Sequence, residues 1–458
     1  MKNKLKKIVS VGLSCITLAV CGITSVGCNK KERVFVEKGE ELIFMASVLP
    51  AFTDDAFETM AELGLDVVGL NEWQCGPTSS ELQRTVMRLC AKHGLKYYPH
   101  LANAGVSDSF SGDDELYVYD YSKDLELYEN MHWIAMADEP HYKHFDQVAS
   151  WIPRYEKTYI AKPFYVNLFP EYVSDKELGG LSYNKYVKTF CDNILKKLNG
   201  EKWLVFDYYP YAYNEDSQTP NGMFYSWLHN LAIMQTNLKT IENGHMGAHF
   251  QTCSFTGNRE VDEFDMRQQL YVNLAFGVEN ISCYTYAKPV GNELHGEDKK
   301  SMIDEDGVPT SIYYAVQKII AEAKLFDDVY LSYQYDGTKV YYPSETYDKI
   351  SYNAAFEALA DEELTVMLDS FEKISSVYNT QDTVISQFFN KEGKFAYIAV
   401  NYEDPIERKS DSVKLKFEKD VKQVKMYRKG IPQTVTLKDN VLEFILEPGE
   451  GVMVIPVY

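Results

Sequence analysis

The sequence predicts a (β/α)8 barrel followed by an antiparallel β-sandwich, and two features of its patterning lead to that prediction. From about residue 42 to 326, short apolar runs alternate with amphipathic helical stretches. Apolar runs flanked by turn residues are typical of strands buried on both faces of a parallel sheet. From about residue 327 the helical stretches stop, and apolar–polar alternation between turn residues indicates antiparallel strands.

Eight apolar runs supply the eight strands that a closed barrel of this kind needs. Thr78 and Glu81 form the pattern of a capping box, which opens a helix between the second and third runs. Gly64, Gly94 and Gly277 each stand between a helical stretch and the next run, where a helix end favours positive φ. The predicted strands are Leu42–Leu49, Asp66–Leu70, Lys96–Ala102, His132–Met136, Pro163–Leu168, Trp203–Asp207, Met246–Thr252 and Ile281–Tyr286.

An open doubly wound sheet is the alternative for the same alternation of strands and helices. Such sheets usually carry a glycine-rich phosphate-binding turn after the first strand. The first run here leads instead into Val48-Leu49-Pro50. The closed barrel is therefore the preferred interpretation, and its predicted extent is residues 41–330.

Residues 331–458 are predicted to form the β-sandwich. Turn signals recur there at Asp336-Gly337, at residues 391–393 and at Pro448-Gly449, and no helix of similar length intervenes. The predicted strands are Lys339–Tyr342, Leu364–Leu368, Phe395–Asn401, Val413–Phe417, Val424–Tyr427, Val441–Leu446 and Gly451–Tyr458.

The N-terminal segment has the pattern of a secretion signal. Four lysines within the first seven residues precede an uncharged, apolar or small stretch at Ile8–Val20, which is too short for an ordinary spanning helix. The following Ser25-Val26-Gly27-Cys28 resembles a bacterial lipobox. That resemblance implies a lipoprotein signal peptide over residues 1–27, a tether over 28–40, and a lipid on Cys28 that anchors the protein, outward facing, to a cell-envelope membrane. A plain secretory signal is the alternative.

The composition argues against several classes of partner. The formal charge is −21, with 46 basic and 67 acidic side chains, whereas nucleic-acid binding needs a basic face, so nucleic acid is not an expected partner. The five cysteines after the signal are far apart and form no Cys-x-x-Cys pair, which predicts neither a zinc site nor a disulfide framework. They are Cys75, Cys90, Cys191, Cys253 and Cys283.

The most informative motif is Asp138-Glu139-Pro140, where an apolar strand ends in two carboxylates. The active site of such a barrel lies at the carboxyl ends of its strands. The motif resembles the end of the fourth strand in clan A glycoside hydrolases, nearest the family 42 β-galactosidase-like group, where the glutamate is the general acid/base. The resemblance implies that Glu139 protonates the leaving oxygen. Helix capping by these carboxylates is the structural alternative.

The sequence departs from that family pattern at two positions. Asp138 replaces the usual asparagine, and hexosaminidases that use substrate assistance also have a neighbouring aspartate. The seventh strand should carry a nucleophilic glutamate in a retaining enzyme, but Gln251 stands there. Asp207, at the end of the sixth run, is our first candidate for the second carboxylate, and Glu72 is the second.

Other polar and aromatic residues at strand ends are predicted to bind the substrate, because amides and acids can hold hydroxyl groups and aromatic rings can stack on sugar rings. The predicted set is Glu72, Trp73, His100, Asn103, Asn167, Tyr208, Tyr209, Gln251, Tyr284 and Tyr286. Alternation along a strand would point half of the tyrosines into the helical layer instead.

The resemblance implies a glycoside hydrolase that acts on a carbohydrate, requires no cofactor or metal, and carries the supporting sandwich with which many glycoside hydrolases end. Two alternatives remain open at this stage. The Gln251 position favours a surface lipoprotein that binds glycans without cutting them, and Asp138 favours a substrate-assisted hexosaminidase.

Overall fold

The protein is described by a computed structural model, in which residues 35–458 form one compact unit. The structure describes residues 33–70, 74, 81–99, 125–159, 161–211, 213–214, 219–220, 222–254, 259–288, 300–343, 358–361 and 363–457.

The first part of the described chain alternates strands with helices, as the sequence predicts. The strands are β1 (Ile43–Ala46), β2 (Val67–Leu70), β3 (Lys96–Pro99), β4 (Ile134–Asp138), β5 (Phe164–Leu168), β6 (Lys202–Phe206), the short hairpin β7 (Tyr213–Asn214) and β8 (Thr219–Pro220), β9 (Gly244–Gln251) and β10 (Asn280–Tyr284). The helices are α1 (Asp54–Glu62), α2 (Glu81–Lys92), α3 (Leu125–Asn130), α4 (Phe145–Thr158), α5 (Tyr183–Asn193), α6 (Gly222–Leu238), α7 (Glu263–Ala275), α8 (Ser311–Lys324) and α9 (Asp327–Leu331).

Eight parallel strands of this described region form a barrel. Their order is β3-β2-β1-β10-β9-β6-β5-β4, and every pair of neighbours is parallel. A bridge between Tyr97 and Met131 brings the two edge strands together, and the His132 amide donates to the Tyr97 carbonyl at 2.8 Å. The predicted (β/α)8 barrel is therefore confirmed.

The three helix ends that the sequence predicts at glycines are also confirmed. Gly64, Gly94 and Gly277 have φ of 94°, 73° and 77°, so each occupies the left-handed region that ends a helix. Helix α2 begins at Glu81, and Thr78 of the predicted capping box lies outside the described residues. Among the helices of the described ranges, none is both long enough and apolar enough to cross a membrane.

Aromatic rings fill the lower interior of the barrel. The Trp133 ring lies 4.8 Å from Trp203 and 5.0 Å from Tyr165, and Tyr165 lies 5.3 Å from Tyr98, measured between ring centroids. The Tyr165 hydroxyl is hydrogen-bonded to Nε2 of His249 at 2.9 Å. These Trp and Tyr side chains belong to a buried cluster that fills this part of the barrel interior.

The C-terminal part is the predicted antiparallel β-sandwich. Its larger sheet has the order β11-β13-β14-β19-β16-β17 and its smaller sheet β12-β15-β18, where the strands are β11 (Gln334–Tyr341), β12 (Ile374–Tyr378), β13 (Thr383–Phe389), β14 (Phe395–Asn401), β15 (Asp411–Phe417), β16 (Gln423–Arg428), β17 (Ile431–Thr436), β18 (Val441–Leu446) and β19 (Gly451–Val457). Apolar side chains from both sheets meet in one cluster between them.

One predicted strand of the sandwich is wrong. Residues 364–368 form turns, because the Leu364 amide bonds to the Asp361 carbonyl and the Met367 amide to the Leu364 carbonyl, at 3.0 Å each. These local bonds use backbone amide and carbonyl groups that a β-strand would need for pairing with its neighbours. The segment is joined to strand β11 by one isolated bridge, between Met367 and Thr338. Strands β12, β13 and β17 were not predicted from the sequence.

Helix α7 fastens the sandwich to the barrel. Its Gln268 side chain donates to the carbonyls of Asn401 and Glu403 at 3.2 and 2.8 Å. A Cβ on Gly451 would lie 2.4 Å from the Tyr271 ring, so the close approach of β19 to α7 requires glycine. The sandwich therefore braces the side of the barrel next to β9.

Candidate active site

Three carboxylate side chains meet at the carboxyl-terminal mouth of the barrel. Asp138 ends β4 and Glu139 follows it, while Asp207 follows β6. Asn167 in β5 donates from Nδ2 to Oδ1 of Asp138 at 3.0 Å. Glu139 lies close enough to Asp207 and Asp138 for both negative charges to oppose its ionisation. Neighbouring carboxyl groups do not both ionise readily, so this arrangement favours a proton on one of them.

A local irregularity lets two consecutive residues contribute to one site. Side chains of a regular strand alternate between faces, which would separate Asp138 from Glu139. The pairing of β4 with β5 shifts register between Ala135 and Ala137, as at a β-bulge. Glu139 then has φ of 45°, uncommon for a non-glycine residue, and its amide donates to the Asn167 carbonyl at 2.8 Å. Strained backbone of this kind is often found at functional sites.

Burial raises the pKa of all three carboxyl groups, and neighbouring negative charges raise it further for Glu139 and Asp207. For Glu139 the largest cause is burial, followed by the negative charges of Asp207 and Asp138. Burial also raises the pKa of Asp207, together with the charge of Asp138, while hydrogen bonds from Asn167 and Tyr209 act in the opposite direction. Burial raises the pKa of Asp138, and the bond from Asn167 partly offsets it. Glu139 is thus the group best able to hold a proton near neutral pH.

Two of the three carboxylates are accessible to solvent, and Asp207 is buried. Asp138 is exposed and Glu139 is half-buried, although protein surrounds both closely enough to raise their pKa values. Oδ1 of Asp207 and Oδ1 of Asn167 are buried and have no hydrogen-bond partner in the structure. Unpaired buried acceptors at the barrel mouth are suited to a ligand that donates hydroxyl groups.

Two of the predicted substrate-binding tyrosines lie at this mouth. The rings of Tyr209 and Tyr284 are half-buried, and their centroids are 5.6 Å apart. Tyr209 also hydrogen-bonds to the Asp207 carboxylate, and the charges of Asp138 and Asp207 raise the pKa of Tyr284 after burial does. Both rings are therefore placed where they can reach a ligand bound to the carboxylates.

Three other predicted contact residues, namely Tyr208, Tyr286 and Gln251, have side chains that are buried in the protein. Tyr208 bonds through its hydroxyl to Ser226 at 2.6 Å, behind the mouth. Tyr286 belongs to the main core, where it lies near Tyr313 of helix α8.

Gln251 is the third of these. Its Oε1 accepts a bond from the Tyr211 amide at 3.1 Å and its Nε2 donates to the Cys253 carbonyl at 3.3 Å, so the side chain holds the loop after β6. Gln251 therefore has a structural task, which explains an amide at this position without reference to a substrate.

The remaining predicted residues cannot be placed. Glu72, Trp73, His100 and Asn103, together with Cys28, lie outside the described residues.

One residue that the structure brings to the site was not predicted from the sequence. Tyr172 follows β5, and its ring lies close enough to Asp207 and Glu139 for both charges to raise the pKa of its hydroxyl, after burial. The signal was available in residues 169–172, Phe-Pro-Glu-Tyr, which follow a strand end just as Tyr208 and Tyr209 do.

Other proton-transfer groups near the barrel interior are inactive at neutral pH. Burial raises the pKa of the Cys253 thiol to about 12 and lowers the pKa of His249 to about 3. Within the described ranges, no three side chains of the His, Cys, Asp or Glu types are placed to hold a metal ion. The chemistry that this mouth offers from its described residues is that of carboxyl groups.

Comparison with known proteins gives a likeness of architecture. No family model matches the chain, and no curated protein is similar to it in sequence. A family 39 glycoside hydrolase from Bacteroides cellulosilyticus WH2 is similar with a TM-score of 0.46 and 12% identity, over 91% of this chain and 81% of that one. A GH51 arabinofuranosidase from Xanthomonas axonopodis pv. citri has a TM-score of 0.45 and 10% identity, over 92% of this chain and 93% of that one. A GH27 β-L-arabinopyranosidase from Geobacillus stearothermophilus has a TM-score of 0.43 and 11% identity, over 92% of this chain and 97% of that one.

Proposed function

We propose that this protein is a glycoside hydrolase in which Glu139 is the general acid and Asp207 is the second carboxylate. The placement of Glu139 and Asp207 together at the carboxyl-terminal mouth of the barrel carries the proposal. Glycoside hydrolysis needs one carboxyl group that keeps its proton near neutral pH and another that is ionised. The raised pKa of Glu139 beside the charge of Asp207 supports that division of roles.

The reaction can be written with these two groups. Glu139 gives its proton to the glycosidic oxygen as the bond from that oxygen to the anomeric carbon breaks. A water molecule attacks the same carbon, and its proton passes to Asp207. The neighbouring charge of Asp138, held by Asn167, favours the positive charge that develops on the sugar ring.

The distance between the two carboxyl groups in the substrate complex would decide the stereochemical outcome. Retaining enzymes place their two carboxyl groups roughly 5–5.5 Å apart and inverting enzymes roughly 6.5–9.5 Å apart. Direct attack by water on the anomeric carbon is the inverting version and needs the larger separation.

A substrate-assisted hexosaminidase is the second candidate, and the exposure of Asp138 favours it. Asp138 stands next to the acid, is oriented by Asn167 and remains open to the cleft. This version predicts activity only on sugars with a 2-acetamido group. A binding protein without catalysis is the other alternative, because Gln251 stands where a retaining enzyme would carry its nucleophilic glutamate.

The proposal is tested by assaying the wild type on a panel of aryl glycosides, including N-acetylglucosaminides, and by measuring reducing ends released from natural polysaccharides. We expect turnover of at least one class of sugar, and its identity would decide between the two catalytic versions. Binding of a glycan without turnover of any substrate in the panel would instead indicate a glycan-binding protein.

We also propose that a lipid on Cys28 anchors the protein outward facing in the cell envelope, based on the Ser25-Val26-Gly27-Cys28 pattern. Replacing Cys28 with serine should then move the protein from the membrane fraction to the soluble one.

A further inference from the structure

We propose that Tyr172 contacts the substrate, forming an aromatic wall beside the Glu139–Asp207 pair against which a sugar ring packs. The inference rests on the proposed function in one respect only, namely that the ligand is a carbohydrate. It does not require the carbohydrate to be cleaved.

The first support is the position of Tyr172. It lies four residues beyond the end of β5, in the loop that leads to helix α5. Its ring packs against the ring of Tyr208, which follows Asp207 directly in the chain. The ring therefore lies against the loop after β6, beside Asp207.

The second support is that the ring is accessible although it lies in a concave place. Burial is the largest cause of the raised pKa of the Tyr172 hydroxyl, yet 36% of the residue's surface remains exposed. Its neighbour Tyr208 is only 1% exposed. A side chain that is largely surrounded by protein, yet keeps part of its surface exposed, is expected in the wall of a cleft.

The third support is that the ring is held in place before any ligand arrives. Tyr172 packs against Tyr208 with a centroid distance of 5.0 Å and an interplanar angle of 69°. The preceding Glu171 is fixed twice to helix α6, because its amide donates to Oδ1 of Asn230 at 2.9 Å and its carboxylate bonds to Nδ1 of His229 at 2.5 Å. Preorganisation reduces the entropy lost when a ligand binds.

The combination of groups identifies the kind of ligand. Unpaired acceptors on Asp207 and Asn167 can accept hydrogen bonds from hydroxyl groups, whereas the Tyr172 ring offers an apolar flat surface beside them. A pyranose ring has both properties, with hydroxyl groups around its edge and C–H groups on its faces. A small polar anion would gain nothing from the ring and would be repelled by the carboxylates.

Three variants separate the ring surface from the hydroxyl and from packing. Tyr172→Phe keeps the flat ring and should bind as the wild type does. Tyr172→Leu keeps apolar volume behind the cleft but removes the flat face, and Tyr172→Ala removes both. Tyr314→Ala is the matched control, since Tyr314 is 58% exposed on helix α8.

Binding is measured by the retardation of each protein in native gels cast with xylan, xyloglucan, galactomannan, arabinan or soluble chitosan derivatives. The measurement is made in a Glu139→Gln background so that hydrolysis cannot interfere. We expect Tyr172→Leu and Tyr172→Ala to weaken binding by about tenfold, with KM rising similarly in the active enzyme, and the phenylalanine and control variants to stay within about threefold.

The possible results distinguish this inference from the proposed function. Loss of binding in the leucine and alanine variants, with folded circular dichroism spectra and no wild-type turnover, would keep Tyr172 and reject the hydrolase. Intact turnover with unchanged KM and binding in those variants would reject Tyr172 and keep the hydrolase. A wild type that neither binds nor hydrolyses any of these glycans would overturn both.

Discussion

Replacing Glu139 with glutamine should lower kcat/KM by about 10²–10⁴-fold on substrates with a poor leaving group, because general acid catalysis contributes about that much. The amide has nearly the same shape, so binding should survive. What it cannot do is give a proton to the departing oxygen.

The loss should depend on the leaving group. A dinitrophenyl glycoside departs without protonation, so its cleavage should fall much less in Glu139→Gln than that of an alkyl glycoside or a natural disaccharide. The measurement is kcat/KM for a series of leaving groups of different acidity, for wild type and variant. Glu62→Gln, an exposed position on helix α1, is the control for a neutralised glutamate elsewhere. An equal loss on all leaving groups would show that Glu139 has another role.

Much of the fold could be predicted because buried parallel strands have a sequence signature of their own. The run Trp203–Phe206 is apolar from end to end since β6 is covered on both faces, and the buried carboxylate of Asp207 marks the end of the strand at the barrel mouth. Strand β17 gave no such signal. It is a sheet-edge strand with exposed residues and Pro432, so burial left no apolar pattern in its sequence.

The carboxylates of the site could be predicted for the same reason, whereas the orientation of the aromatic residues could not. A carboxylate that ends an apolar strand has to reach the mouth or solvent, which applies to both Asp138 and Asp207. A tyrosine can be buried on either side of the strand at similar cost. Tyr208 and Tyr286 turned inward to the helical layer, and only the path of the chain after each strand determines this. The register shift in β4 and the positive φ of Glu139 left no visible pattern in the sequence either.

Replacing Asp207 with asparagine should change the pH dependence of the reaction as well as its rate. In the wild type, the active form has Glu139 protonated and Asp207 ionised. Activity should therefore rise with pH as Asp207 loses its proton and fall at higher pH as Glu139 loses its own. Because the two groups interact, the apparent pKa values read from the two sides of this pH profile belong to the pair and not to either residue alone.

In Asp207→Asn the negative charge that most strongly repels an ionised Glu139 is gone, and burial remains the larger cause of its raised pKa. The pKa of Glu139 should fall but stay above its ordinary value, so the high-pH limb should move to lower pH by about one unit or more. The low-pH limb that Asp207 produces should disappear.

The rate itself should fall by about 10²–10⁴-fold, since the base that receives the proton from water is lost, and a small anion such as azide or formate should restore part of it. The profile is measured on an activated aryl glycoside, where the residual rate is high enough to follow.

Glu177→Gln is the graded control, because the charge of Glu177 is the weakest of the contributions that raise the pKa of Glu139. It should shift the same limb in the same direction by much less, with kcat nearly unchanged. A high-pH limb that stays in place in Asp207→Asn would mean that the carboxyl pair does not control the proton on Glu139, and the assignment of acid and base would have to be given up.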